Sequence, residues 1–176
     1  MALGRLYEHQ DCALARALEE VGERWTLLVL RDCLLGVRRF SELRDRLDIP
    51  RAMLASRLSA LVEAGLLERR PYGAAREEYL PTDKAVALWP AIHALIEWGE
   101  RFHPAPGGRR RLYRHVPCDR DVDRTGRCPR CDTVPAPGEL ETRPGPGADS
   151  NRREDRVSLA LNEGPHRLLT PVYRTR

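Results

Sequence analysis

The stretch from Phe40 to Ala64 constrains the fold most, because it contains two short amphipathic segments separated by a proline-containing break. Apolar residues recur at helical spacing on each side of the break, so each segment predicts a helix with one buried stripe. The residue before a proline is biased away from helix, whereas proline itself suits a first helical turn. The pattern therefore predicts a helix-turn-helix whose second helix begins at Pro50 or Arg51. The apolar stripes are Phe40, Leu43 and Leu47, then Leu54, Leu58 and Leu61.

The face of the second helix opposite its leucines is small and polar. Such a face near a helix N-terminus allows close approach to a DNA major groove, where arginine or serine side chains reach bases or phosphates. Arg51, Ser56 and Arg57 are the candidate contacts on this helix. The alternative is an ordinary surface helix of an all-α domain, since two-helix turns are common units.

A predicted β-hairpin follows the helix after Gly65. Residues 66–72 and 76–80 read as strands on either side of a Gly-Ala-Ala loop. Arg69, Arg70 and Arg76 would lie on this wing and meet the phosphate backbone or the minor groove, or they are simply exposed charges. Arg38 and Arg39 precede the first helix of the helix-turn-helix and are candidates for contacts with the DNA phosphate backbone. The alternative is that they are solvated charges in a loop. The predicted fold is mainly α with a β-hairpin wing, a winged helix-turn-helix.

Local charge supports a nucleic-acid partner where the total charge does not. The formal net charge is only +4, and residues 1–105 hold 15 basic and 16 acidic side chains. Between Arg38 and Arg76, however, nine arginines face five acidic residues. This surplus lies on the predicted DNA-binding unit, where it favours phosphate.

The motifs occur in an order that resembles the HxlR family of bacterial winged-helix transcriptional regulators. They are ALEEVGERWTLLVLRD, GVRRFSELRDRL, LASRLSALVEAGLLERRPY and EYLPTDKAVAL, spread over residues 8–102. Two positions depart from the family pattern: Pro50 replaces the polar cap of the recognition helix, and Ala85 replaces a glycine. The resemblance implies a homodimer that binds an inverted repeat in double-stranded DNA, with terminal helices forming the interface.

The helix expected after the wing supports the dimer. Residues 88–102 are more apolar than one face of a small domain requires, although Trp98 and Phe102 could also pack within their own subunit. An obligate homodimer through this helix and the helix that follows Cys12 is the prediction.

Four residues in the C-terminal part have the spacing of a zinc site. His115 and Cys118 form one short chelating pair, and Cys128 and Cys131 form another. The segment is poor in apolar residues and would need a cross-link to keep its shape. Against zinc, the glycine usual after each pair is an aspartate here. A structural Zn²⁺ site is predicted, while a metal-free cysteine turn and a reversible disulfide stay open.

The other two cysteines have different roles. Cys33 lies in an apolar helix and is expected to be a small buried hydrophobe. Cys12 stands where the resembling family often carries a cysteine that, in some members, senses oxidants or electrophiles. It is therefore a redox candidate, with a buried structural cysteine as the alternative. Sensing would require an accessible thiol with a lowered pKa.

The expected domain organisation has four parts. Residues 1–105 form the winged helix-turn-helix and dimerisation helices, and residues 106–134 form a zinc-ribbon-like Cys-rich extension. Residues 135–156 are rich in proline and glycine and predict a linker, while 157–176 predict a β-hairpin or a disordered basic tail. The sequence shows no leader and no apolar run of membrane-spanning length, so a cytoplasmic location is expected.

The predicted function is a DNA-binding transcriptional regulator that responds to a small molecule or to thiol modification. No catalytic motif appears, since the five histidines are scattered and no phosphate-binding glycine loop is present. The chain is therefore not expected to be an enzyme. The alternative is a winged-helix module that binds proteins and has no sequence-specific DNA binding.

Overall fold

The computed structural model describes residues 7, 9–72 and 76–173 of the chain. The helices are α1 Ala13–Val21, α2 Thr26–Leu34, α3 Phe40–Leu47, α4 Arg51–Glu63, α5 Asp83–Val86, α6 Trp89–Phe102 and α7 Arg156–Glu163. The strands are β1 Leu67–Tyr72, β2 Arg76–Pro81, β3 Arg111–His115, β4 Arg120–Asp121, β5 Leu140–Pro144 and β6 His166–Arg167. Within the described ranges, no helix has both the length and the apolar character needed to cross a membrane.

The helix-turn-helix forms where the sequence predicts it. Helix α3 ends at Leu47, the following Asp48 adopts a left-handed φ of 51°, and Pro50 stands directly before α4. Asp tolerates this conformation better than most residues because its short side chain hydrogen-bonds locally. The leucine stripe of α4 is buried, with each of its side chains no more than 1% exposed. The winged helix-turn-helix fold class is therefore confirmed.

The wing is an antiparallel hairpin of β1 and β2, paired from Leu67 opposite Pro81 to Tyr72 opposite Arg76. Its predicted loop, residues 73–75, lies outside the described residues. Two side chains tie the base of the wing to the end of α4. The Thr82 hydroxyl donates to the carbonyl of Gly65 at 2.7 Å, and Lys84 Nζ donates to the carbonyl of Ala64 at 2.9 Å.

A second sheet, in the order β4-β3-β5-β6, builds the C-terminal part. Its Tyr113 packs edge-on against Trp89 of α6, with ring centroids 5.1 Å apart. Val122 and Leu140 belong to the same buried cluster as the leucines of α4. The apolar core therefore continues across the expected boundary at residue 105.

The hairpin expected after residue 157 is wrong, because this segment forms helix α7. Asp155 caps the helix by accepting the backbone N–H of Ser158 at 2.9 Å. Val157 and Leu161, four residues apart, are both buried, as expected for one face of a helix. The expected linker also contains an ordered strand, β5, which pairs with β3 and β6. Residues 174–176 lie outside the described residues.

The C-terminal segment docks on the end of α2. The Leu169 N–H donates to the carbonyl of Leu34 at 2.8 Å, and the Val172 N–H donates to the carbonyl of Gly36 at 3.2 Å. Gly36 has a φ of +89°, and a Cβ there would lie 1.7 Å from the carbonyl oxygen of Thr170. A glycine is therefore required both for the backbone conformation and for the close approach of the two segments.

Candidate nucleic-acid interface and metal site

The face of α4 opposite its leucines is open. Arg51, Met53 and Ser56 are exposed on it, and Met53 keeps 43% of its surface accessible. The Arg51 guanidinium lies over the Phe40 ring at 5.6 Å from its centroid, which positions it beside the N-terminus of α4. The α4 face therefore offers small and charged side chains without a covering segment among the described residues.

Arg57 is oriented differently from Arg51. Its Nη1 lies 3.4 Å from Glu23 Oε2, and its side chain is only 12% exposed. This ion pair directs the guanidinium toward the segment between α1 and α2. The Arg57 guanidinium is therefore not oriented as expected for a contact in the DNA major groove.

Arg38 and Arg39 also find partners inside the chain. Arg38 Nη2 donates to the Leu169 carbonyl at 3.0 Å and so helps to hold the docked C-terminal segment. Arg39 Nε lies 3.4 Å from Glu78 Oε1, and its guanidinium stacks over the Tyr72 ring at 4.6 Å. These contacts connect the start of α3 to the wing and to the C-terminal segment. Both guanidiniums therefore bind within the chain, whereas the sequence predicted contacts with DNA phosphates.

The three wing arginines are exposed. Arg69 and Arg70 are neighbours on β1 and therefore point to opposite faces of the hairpin. Arg70 Nη2 pairs with Glu68 Oε1 at 2.7 Å, a surface contact that contributes little stability. Arg76 pairs in register with Tyr72 at the open end of the hairpin. One face of the wing can therefore present only part of this set to a duplex.

The predicted metal ligands come together. One ligand atom from each of His115, Cys118, Cys128 and Cys131 lies within 4.8 Å of all the others. His115 Nδ1 and Cys131 Sγ are 3.6 Å apart. Ligands about 2.0–2.3 Å from a tetrahedral zinc ion lie roughly 3.5–3.8 Å from one another. The donor set therefore suits a metal ion, and the distance between His115 Nδ1 and Cys131 Sγ lies in the tetrahedral range.

The backbone at the two cysteine turns explains the residues that depart from the glycine pattern. Asp119 and Asp132 follow the ligand pairs and have φ values of 50° and 56°. Both occupy the left-handed region that usually requires glycine, and aspartate is among the few residues that tolerate it. Their presence is therefore compatible with the turn geometry of a metal site.

Glu139 is a neighbour of the metal site that the sequence analysis missed. It lies in the short 3-10 turn Pro137–Glu139, and its Oε2 is 4.0 Å from His115 Nε2. With Nδ1 facing the sulfurs, the other ring nitrogen faces this carboxylate. Carboxylates orient metal-bound histidines by accepting a hydrogen bond from the ring, and at 4.0 Å Glu139 faces the ring without making one. Because 23 residues separate His115 from Glu139, no local spacing could have indicated the pair.

The thiols of this cluster differ in their protonation. Hydrogen bonds from Thr133, first from its hydroxyl, lower the pKa of the Cys131 thiol to about 6. Desolvation raises the pKa of the Cys118 thiol to about 11. Of the two thiols, Cys131 lies in the environment that favours the thiolate, the form that binds a metal, and Cys118 in the one that disfavours it.

Cys12 and Cys33 occupy contrasting environments. Cys33 is 1% exposed, and burial raises the pKa of its thiol. Cys12 is exposed just before α1, where the backbone N–H groups of Ala15 and then Leu14 lower the pKa of its thiol. Cys12 is thus the accessible one of the two, and Cys33 is a buried apolar residue.

Large apolar side chains are exposed on two helices. On α6, Leu95, Trp98 and Phe102 keep 53%, 58% and 54% of their surface accessible. On α1, Leu14 keeps 64%. Patches of this kind on soluble proteins mark interaction surfaces.

Comparison with known proteins identifies relatives over most of the chain. A profile described as HxlR-like helix-turn-helix matches residues 20–106. The HTH-type transcriptional regulator Rv3095 of Mycobacterium tuberculosis is 43% identical over 137 residues, which cover 77% of this chain and 87% of the relative. The Mycobacterium bovis regulator Mb3122 matches equally well. The crystal structure of PA1607 is 33% identical, with a TM-score of 0.53 over 83% of this chain and 95% of that one.

Proposed function

Since the chain belongs to the HxlR-like helix-turn-helix family of transcriptional regulators, we propose that it binds operator DNA through the open face of α4 and the wing. The observation that supports this proposal is the exposure of Arg51 and Ser56 on a helix whose other face is buried. The wing adds phosphate contacts from those of Arg69, Arg70 and Arg76 that lie on the face meeting the duplex. On this proposal the protein acts in the cytoplasm, where chromosomal DNA lies. We propose no enzymatic activity for it.

We exclude Arg38, Arg39 and Arg57 from the proposed DNA contacts. Each of these guanidiniums is only partly exposed, unlike those of the wing, and has a partner in the chain, respectively Leu169, Glu78 and Glu23. A contact with DNA would require breaking these interactions. Their contribution to DNA binding is therefore indirect, through the positions of α3, α4 and the wing.

The DNA-binding proposal predicts a loss of affinity in the Arg51→Ala variant. Removing a base or phosphate contact costs about 1–3 kcal/mol, which corresponds to roughly 5- to 150-fold weaker binding. The measurement is fluorescence anisotropy with the intergenic DNA upstream of the protein's own gene, at fixed salt, with unrelated DNA of the same length for comparison.

Arg124→Ala is the matched control for this experiment. Arg124 is an exposed arginine in the loop after β4, remote in sequence from α4 and the wing. It should leave the affinity unchanged. If Arg51→Ala also leaves it unchanged, and the native protein does not prefer the intergenic DNA, the alternative of a protein-interaction module is favoured.

We propose that the regulator is a homodimer whose interface is the apolar surface of α1 and α6. The exposed Leu14, Leu95, Trp98 and Phe102 support it, since water contact with such groups is unfavourable. Two copies related by a twofold axis would present two α4 helices to an inverted repeat.

Cys12 is proposed as the thiol through which the regulator senses electrophiles or oxidants. It is exposed, the start of α1 lowers the pKa of its thiol, and Leu14 of the apolar surface follows two residues later. Modification there would disturb the proposed interface and hence DNA binding.

The thiol proposal predicts that one equivalent of N-ethylmaleimide weakens DNA binding about 10-fold or more, the effect of losing ~1.4 kcal/mol. Mass spectrometry locates the modified residue, and anisotropy measures the affinity. With zinc-loaded protein, in which Cys131 is coordinated, the Cys12→Ser variant should be insensitive to the reagent. Equal affinity before and after complete modification of Cys12 would contradict the proposal.

The cluster of His115, Cys118, Cys128 and Cys131 is proposed to hold a structural Zn²⁺ ion. Three thiolates and one imidazole are the donor set of closed structural zinc sites, and no position remains for a substrate. The ion would cross-link β3 to the loop after β4. Its role would be to maintain the C-terminal sheet that packs on α6.

A further inference from the structure

A cleft of about 660 Å³ lies between helices α2 and α3 and the chain segments around β3 and α7. One wall is formed by α2 and α3, and the facing wall by residues 104–111 and 147–162. Small-molecule sites in proteins commonly have volumes of about 300–1,000 Å³. The cleft is therefore large enough for a ligand of metabolite size.

The walls of this cleft are strongly basic. Six arginines line it, whereas Asp149 is the one carboxylate among its lining residues. The six are Arg31, Arg46, Arg110, Arg111, Arg152 and Arg153. We call this site the arginine cleft.

Carboxylates behind the walls compensate this charge only in part. The fully buried Asp32 serves both Arg31, at 2.8 Å, and Arg46, at 3.5 Å. Arg110 and Arg153 pair with Glu100 and Asp155. Among the described residues, Arg111 and Arg152 have no carboxylate within 4 Å.

Arg111 is held by neutral groups. It donates to Thr142 Oγ1 at 3.0 Å and to the Leu161 carbonyl at 2.7 Å. Desolvation, followed by the nearby charges of Arg46 and Arg31, lowers the pKa of its guanidinium. A partly buried positive charge without a counter-charge is unfavourable, so an anion entering the cleft would be stabilised.

Part of the cleft wall is apolar. Trp25, Leu28 and Leu47 contribute to it, and Leu28 keeps 41% of its surface accessible. An inorganic anion would leave this surface in water. A ligand with both an acidic group and an apolar body satisfies both walls.

We propose that the arginine cleft binds a small organic anion, with its acidic group near Arg111 and Arg152 and its apolar body against Trp25 and Leu28. Such a ligand would bridge α2 and α3 to residues 104–111 and 147–162. The proposal thereby names the chemical class of the small-molecule effector. Binding of the anion stands by itself, and only its use as a regulatory signal rests on the proposed DNA binding.

The test uses 8-anilinonaphthalene-1-sulfonate, an aromatic anion that fluoresces when bound, with the full-length native chain. We expect saturable binding at about one site per chain. The neutral analogue N-phenyl-1-naphthylamine should bind at least 10-fold more weakly, because it lacks the acidic group. Arg152→Glu should weaken binding of the anion at least 5-fold, since it reverses the charge of an exposed side chain of the cleft.

Arg124→Glu is the control, because it makes the same charge change at an exposed arginine outside the cleft. It should change the affinity less than 2-fold. Circular dichroism verifies that Arg152→Glu is folded, and Arg111→Met provides a second variant of the cleft. Equal binding of the anion and its neutral analogue, or equal effects of the Arg152 and Arg124 variants, would overturn the proposal. Because no DNA is present, these outcomes are separate from failure of the proposed operator binding.

Discussion

Protein purified without chelator is expected to carry about one zinc ion per chain, and the Cys128→Ser variant to lose it. Cys128 is 0% exposed and contributes one of four ligands in a closed site, so a hydroxyl cannot replace its thiolate. A ligand that binds only the folded state at 100–1,000 times its Kd stabilises that state by about 3–4 kcal/mol. Removing the ion should therefore lower Tm by roughly 6–16 °C for a chain of this size.

The experiment combines metal analysis with thermal unfolding. Cys12→Ser is the matched control, because it makes the same chemical change at an exposed cysteine outside the cluster and should retain both zinc and Tm. Added chelator should lower Tm of the native protein and leave Cys128→Ser unchanged. If the native protein carries far less than one zinc per chain, the zinc proposal is wrong, and the alternatives are a metal-free cysteine turn or a reversible disulfide. Titration of free thiols distinguishes these two alternatives.

The helix-turn-helix could be predicted from the sequence because its determinants are local. The spacing of Leu54, Leu58 and Leu61 defines the buried face of α4, and Pro50 marks its start. The same argument places the hairpin after Gly65. These features need only neighbouring residues, so periodicity and turn preferences were sufficient.

The orientation of the arginines could not be predicted, since it depends on contacts between distant residues. Arg38 donates to Leu169, 131 residues later in the chain. Arg57 turns toward Glu23, which no helical spacing connects to it. A helical pattern indicates which face a side chain occupies, but not which partner its flexible chain reaches.

The C-terminal part contains features that local spacing predicts and features that depend on distant contacts. The spacing of the cysteines predicted which residues meet, whereas the aspartates that replace glycine appeared unfavourable until their backbone conformation was known. Gly36 lies two residues after the end of α2, and its close approach to Thr170 depends on tertiary docking. The segment called a linker holds β5 because β3 and β6 supply its hydrogen bonds. Composition alone carries no information about such partners.

The apolar surface of α1 and α6 is expected to hold two chains together as a dimer. The native protein is expected to sediment at twice the 20.1 kDa mass of one chain at micromolar concentration, and Trp98→Glu as a monomer. Trp98 is 58% exposed and stacks with Phe102 at 5.1 Å between ring centroids, so it would be a central anchor of an interface. Burying a carboxylate in its place should cost about 3 kcal/mol or more, which raises the dimer Kd at least ~100-fold.

Leu159→Glu makes a comparable change at an exposed apolar residue of α7, outside the proposed interface, and should leave the mass unchanged. Because Trp98 is half exposed within the chain, its replacement should leave the helical content of the monomer intact. The monomer should also bind the intergenic DNA at least 10-fold more weakly, since two linked α4 helices gain affinity from simultaneous binding to both half-sites. A stable, folded native monomer at micromolar concentration would contradict the dimer while leaving the open face of α4 able to bind a single half-site.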